Sequence, residues 1–98
     1  MKTSKPASFA RALRAVRTAK GLSQEAFDVV SSRTYVSALE RGIKMPTINK
    51  VVELSEVCGV HPLTLLVLSF CHNAGQAEVQ RILSTIRQEL EALEPIDL

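Results

Sequence analysis

Apolar residues recur at spacings of three and four in every run between Gly21, Gly42, Gly59, Gly75 and Pro95, and nowhere do they alternate as a strand requires. The chain is therefore expected to be all-α, cut by its glycines and prolines into short helices. A chain of 98 residues can bury roughly two-thirds of its unfolded surface in a single core. One domain is expected, with no room for a catalytic unit beside a regulator.

The first helix reads from Ala7 to Lys20, with Phe9, Leu13 and Val16 on its apolar side and Arg11, Arg14 and Arg17 on another. Pro6 suits its entrance and Gly21 its stop. Ser23 is an N-cap type for a short second helix, Gln24 to Val30, punctuated by Ser31 and Ser32. Ser32 is the expected cap of a third helix, Arg33 to Arg41, whose Val36 and Leu39 face inward and whose end is marked by Gly42. Thr47 caps a fourth, carrying Ile48, Val51, Val52, Leu54, Ser55 and Cys58 and closed by Gly59. Pro62 opens a fifth, running to about His72 and apolar nearly all round, which must be covered. A sixth, from Gln76 to Glu94, places Val79, Leu83, Ile86, Leu90 and Leu93 at spacings of 4, 3, 4 and 3. This seam either folds back over the fifth helix or pairs with a second copy. The fifth helix, with Leu65, Leu66, Val67, Leu68 and Phe70 to cover, favours dimerisation.

The formal charge of +2 is an average over unlike halves. Residues 1–45 hold nine basic and three acidic side chains, a net +6, whereas residues 46–98 hold three basic and seven acidic, a net −4. Such asymmetry points to a polyanion at the first half. The basic start, Met1 to Pro6, runs into Arg11, Arg14 and Arg17 rather than an apolar stretch, so no secretory signal is expected. The longest apolar segment, Leu63 to Cys71, is about half the length that crosses a bilayer. A cytoplasmic protein without membrane contact is expected.

Residues 21–42, GLSQEAFDVVSSRTYVSALERG, resemble the helix-turn-helix of the lambda-repressor/Cro family, also called the Xre family. The resemblance extends from about Arg11 to Leu68 and rests on GLSQE, then YVS, then LERG and Pro46 taken together. It implies a five-helix lambda-repressor-like DNA-binding domain plus a C-terminal sixth helix, in a transcriptional regulator of bacterial or phage type. The expected organisation is a flexible basic N-terminus at 1–7, a helix-turn-helix domain at 8–72 and a dimerisation helix at 73–98. Between Glu25 and Tyr35 the chain is about two residues shorter than the usual family pattern. Val30-Ser31-Ser32 must make the turn, and the angle between the two helices is left open.

The resemblance implies that Arg33 to Arg41 lies in the major groove of double-stranded DNA. The residue types agree, because a groove about 12 Å wide admits one helix. Arg33 can contact guanine at two points, Thr34 and Ser37 can hydrogen-bond either way, and Ala38 can touch a thymine methyl. Gln24 resembles the family glutamine that contacts a phosphate and braces the recognition helix. Ser23, Arg41, Lys44 and Arg14 are further candidate phosphate contacts. Arg17 and Glu40 match a family ion pair between the first and third helices, a structural role.

Cys58, His61, Cys71 and His72 are spaced poorly for zinc, since Cys71 and His72 are neighbours that point about 100° apart on a helix. No metal or other cofactor is expected. The cysteines read as reduced core residues, and a redox switch would need an exposed low-pKa thiolate. No catalytic set is placed at a fixed offset, so an enzyme is not expected. The leading reading is a dimeric regulator bound to a pseudo-palindromic operator. The alternative is a protein-binding adaptor or antitoxin-like subunit that uses the same scaffold and docks a protein partner on its apolar C-terminal half.

Overall fold

The computed structural model describes residues 8–73 and 75–98. The basic start and Ala74 lie outside the described residues. All described regular structure is helical: α1 (Phe9–Ala19), a 3₁₀ helix (Gln24–Val29), α2 (Arg33–Glu40), α3 (Ile48–Cys58), α4 (Pro62–Ser69) and α5 (Gln76–Ala92). This is the lambda-repressor-like arrangement with one further helix.

Local chemistry sets the boundaries. Ser8, Ser32 and Thr47 each accept the backbone N–H three residues on, which satisfies a donor that the first helical turn leaves free. His61 caps α4 by accepting the Leu63 N–H on Nδ1, with Pro62 at the first helical position. At the end of α2, Gly42 adopts φ +76°, and its N–H and that of Ile43 donate to the carbonyls of Leu39 and Ala38. This Schellman close needs a left-handed residue, which glycine adopts without strain. Gly21 closes α1 with the same pair of bonds, to Thr18 and Arg17.

Packing follows the apolar spacing. Phe9, Leu13 and Val16 of α1 meet Phe27 of the 3₁₀ helix, Val36 and Leu39 of α2, Val51, Leu54 and Cys58 of α3, and Leu65 of α4 in one buried cluster. Burial of such side chains contributes about 1.5 to 3 kcal/mol each. The start of α1 is also sewn to the end of α4. The Ser8 N–H donates to the Ser69 carbonyl at 3.1 Å, and Arg11 Nη2 donates to the carbonyls of Cys71 and His72 at 3.1 and 3.0 Å. The arginine thus supplies charge-assisted donors to carbonyls at the end of the fifth helical run.

Three expectations change. The second helix winds as a 3₁₀ helix, and Ser23 forms no side-chain cap. The fifth helix ends at Ser69 rather than near His72, because Phe70 and Cys71 turn back with bonds to Val67 and Leu68. The sixth helix does not fold its seam over the fifth: α5 packs beside α4 but buries none of its residues. It is held mainly at its root, where the Glu78 carboxylate accepts the N–H groups of His72 and Asn73.

Among the described residues no single helix is long and apolar enough to cross a membrane.

Candidate nucleic-acid interface

The amphipathic pattern of α2 separates its residues. Val36 and Leu39 point into the core, while Arg33 and Thr34 are exposed and Ser37 is half-buried. Ala38 is only 6 % exposed. Its assignment to a thymine methyl is corrected on that ground: a covered methyl has no surface to press against a base.

Arg33 is not free. Its Nη2 lies 3.3 Å from Glu25 and 3.4 Å from Asp28, both carboxylates of the 3₁₀ helix. All three side chains are at least half exposed, so water screens the contacts and the guanidinium can be surrendered to another acceptor at little cost. Arg41 lies along the same exposed face, with Nε donating to the carbonyl and hydroxyl of Ser37 at 3.3 Å. Lys44 and Ser23 are exposed and lie between helices.

Behind this face sits a buried charge cluster. Glu40, 3 % exposed, receives Arg17 Nε at 2.7 Å and Nη2 at 3.0 Å, and Gln24 Nε2 at 3.0 Å. Arg17 Nη1 also donates to the Leu22 carbonyl, and Arg14 donates to the Glu40 carbonyl, so α1 holds both the turn after it and the end of α2. Desolvation is the largest influence on the Glu40 carboxyl and raises its pKa. The Arg17 and Gln24 hydrogen bonds, with the charges of Arg17 and Arg14, outweigh it and hold the group below the ordinary carboxylate range. The Glu40 hydrogen bond in turn raises the Arg17 pKa, against a smaller lowering by burial. Gln24 therefore braces α2 through Glu40, and Arg14 is directed at α2 as well as at solvent.

Three residues at this site escaped the sequence reading. Glu25 and Asp28 lie eight and five residues before Arg33, a spacing that marks no pairing, and only the turn brings them together. Lys50, in the first turn of α3, donates Nζ to the Val30 carbonyl at 2.7 Å and pairs with Glu53 at 2.7 Å. Its spacing of three from Glu53 was the one visible signal.

The cysteine chemistry is also decided by burial. Cys58 and Cys71 are free and each 3 % exposed, and desolvation pushes both thiols up in pKa. That is the opposite of the exposed thiolate that a redox switch requires.

An exposed polar helix face, bordered by cations and presented by a helix-turn-helix, has the form of a duplex-reading surface. Residues 13–65 match a family model described as "Helix-turn-helix". The chain is also similar to control protein C.BamHI of Bacillus amyloliquefaciens, at 34 % identity over 71 residues that cover 69 % of this chain and 88 % of that protein. No solved structure matches it significantly.

Proposed function

Because the chain belongs to the Xre-type helix-turn-helix family of DNA-binding regulators, we propose that it binds a pseudo-palindromic operator as a dimer, with α2 in the major groove. The observation that carries this reading is the exposed face of α2, where Arg33, Thr34 and Ser37 stand clear of the core that Val36 and Leu39 enter. Arg33 reads a guanine by releasing Glu25 and Asp28, and Thr34 and Ser37 hydrogen-bond to neighbouring base edges. Arg41, Lys44, Ser23 and Gln24, with Arg14 at the flank, contact phosphates and set the register without reading sequence. Residues 8–72 form the DNA-binding unit and residues 73–98 the dimerisation helix. The similarity to a protein named a control protein supports a regulatory role. The protein acts in the cytoplasm, at the nucleoid, and needs no catalytic group.

Dimerisation is supported by the α5 seam, where Leu83, Ile86, Leu90 and Leu93 are 43, 41, 58 and 56 % exposed. A two-fold dimer places its half-sites about 34 Å apart, one helical turn of DNA. The same exposed seam supports a second reading, in which the partner on α5 is another protein.

Selection from a random DNA pool tests both parts. A recovered inverted repeat with that spacing supports the dimeric operator reading. Affinity for the recovered duplex should fall steeply with salt as phosphate counterions are released, and a flat response would sink the proposal.

A further inference from the structure

The turn of the helix-turn-helix is only Val30-Ser31-Ser32, and it contains neither glycine nor proline to hold its shape. The 3₁₀ helix before it runs for six residues, longer than such helices usually persist. The carbonyls at a helix end need partners. Val30, which caps this helix, has its carbonyl satisfied by Lys50 Nζ at 2.7 Å. The same ammonium lies 5.8 Å from the centre of the Tyr35 ring, in the first turn of α2, and 2.7 Å from Glu53 on α3. Its side chain is 22 % exposed. One cation therefore joins the 3₁₀ helix, α2 and α3 at the place where the chain is shortest.

We propose that Lys50 is a positioning residue for DNA recognition, fixing the angle at which α2 leaves the shortened turn. The assignment rests on the reading of α2 as the recognition helix. Arg41 and Lys44 are placed to add attraction for phosphates. Lys50 is occupied inside the protein by a carbonyl, a carboxylate and an aromatic face, and acts on DNA only through α2. Its removal weakens discrimination between sequences and leaves the general electrostatic attraction in place.

Lys50→Met keeps the apolar stem and removes the ammonium. Fluorescence anisotropy over a salt series compares the duplex recovered by selection with an unrelated duplex of equal length. The expected result is a loss of about tenfold on the selected duplex, the scale of one misread base pair. Affinity for the unrelated duplex and the slope of log K against log salt stay as in the wild type. Amide hydrogen exchange at Val30 and Ser31, whose N–H groups donate to the Phe27 carbonyl, should quicken while α1 and the core of α3 keep their protection.

Unchanged affinity for the selected duplex overturns the proposal, and so does an equal loss on both duplexes. A slope shallower by about one also overturns it, because that is the signature of a lost phosphate contact. If the wild-type chain selects no sequence, the operator reading fails separately, and the exchange measurement still decides whether Lys50 holds the turn. Should Lys50→Met not fold, Lys50→Leu likewise removes both the donor for the Val30 carbonyl and the cation, and the same outcomes apply to it.

Discussion

Arg17 and Glu40 meet at two points, Nε to Oε2 at 2.7 Å and Nη2 to Oε1 at 3.0 Å, and so fasten α1 to the last residue of α2. The carboxylate is 3 % exposed and the arginine side chain 17 %, so neither is well solvated once its partner is gone. Arg17→Met or Glu40→Leu should each cost about 3 kcal/mol of stability, the lower end for a buried pair that loses one member. The double variant Arg17→Met/Glu40→Leu should recover much of that loss, since it strands no charge. Urea denaturation followed by circular dichroism measures all three. Single losses under about 1 kcal/mol would mean that the pair behaves as a surface contact.

The same carboxylate gives a pH dependence of definite sign. Its folded pKa is depressed: desolvation pushes it up, but the bonds from Arg17 and Gln24 and the nearby charges prevail. Its stabilisation is therefore fully present above the ordinary value of 4.5 and is lost as pH falls through the lower folded value. The stability difference between wild type and Glu40→Gln should shrink steadily below pH 4.5. Glu78, lowered by the N–H groups of His72 and Asn73, adds a trend of the same sign. A difference that widens on acidification would contradict the assignment.

Helix ends and the core were readable because they follow from local chemistry. Ser32, Thr47, Pro62 and Gly42 stand where caps and stops must, and the spacing of Phe9, Leu13 and Val16 already marks the buried side of α1. The pairing of Arg17 with Glu40 came from family resemblance, since no spacing reveals a contact across 23 residues. Other features depend on the turn itself. Whether Gln24–Val29 winds as an α-helix or a 3₁₀ helix is decided by the short path to Arg33, and so is the approach of Arg33 to Glu25 and Asp28. Ala38 lies beside the exposed residues of α2 on the helical wheel, yet it is buried, which the spacing of α2 alone does not reveal. Lys50 was silent for the same reason, because its partner is a backbone carbonyl that any sequence supplies.

Arg33 should read one base pair, and its carboxylate partners should restrain it. Arg33→Ala is expected to cost roughly 1 to 3 kcal/mol on the selected duplex and to relax specificity at a single position. A uniform loss over all sequences would make it a phosphate contact. Replacing Glu25 and Asp28 by Gln and Asn removes two negative charges beside the reading face and frees the guanidinium. That double variant should bind every duplex more tightly, with a steeper salt slope, in the same anisotropy titration. Weaker binding would show that the carboxylates help to present Arg33 rather than restrain it.

Self-association should depend on the α5 seam and be reversible. Burying the remaining exposure of Leu83, Ile86, Leu90 and Leu93 from two copies contributes on the order of 1 kcal/mol per side chain, about 8 kcal/mol in all. Association itself costs at least about 4 kcal/mol, which leaves a dimer that dissociates on dilution. Leu83→Glu with Leu90→Glu should give a monomer in sedimentation velocity without lowering folding stability by more than about 0.5 kcal/mol, because both positions are already exposed. The monomer should retain weak binding to a single half-site and lose tight binding to the inverted repeat. If the double variant still binds the full repeat as tightly as the wild type, the seam serves something other than pairing of this chain on DNA.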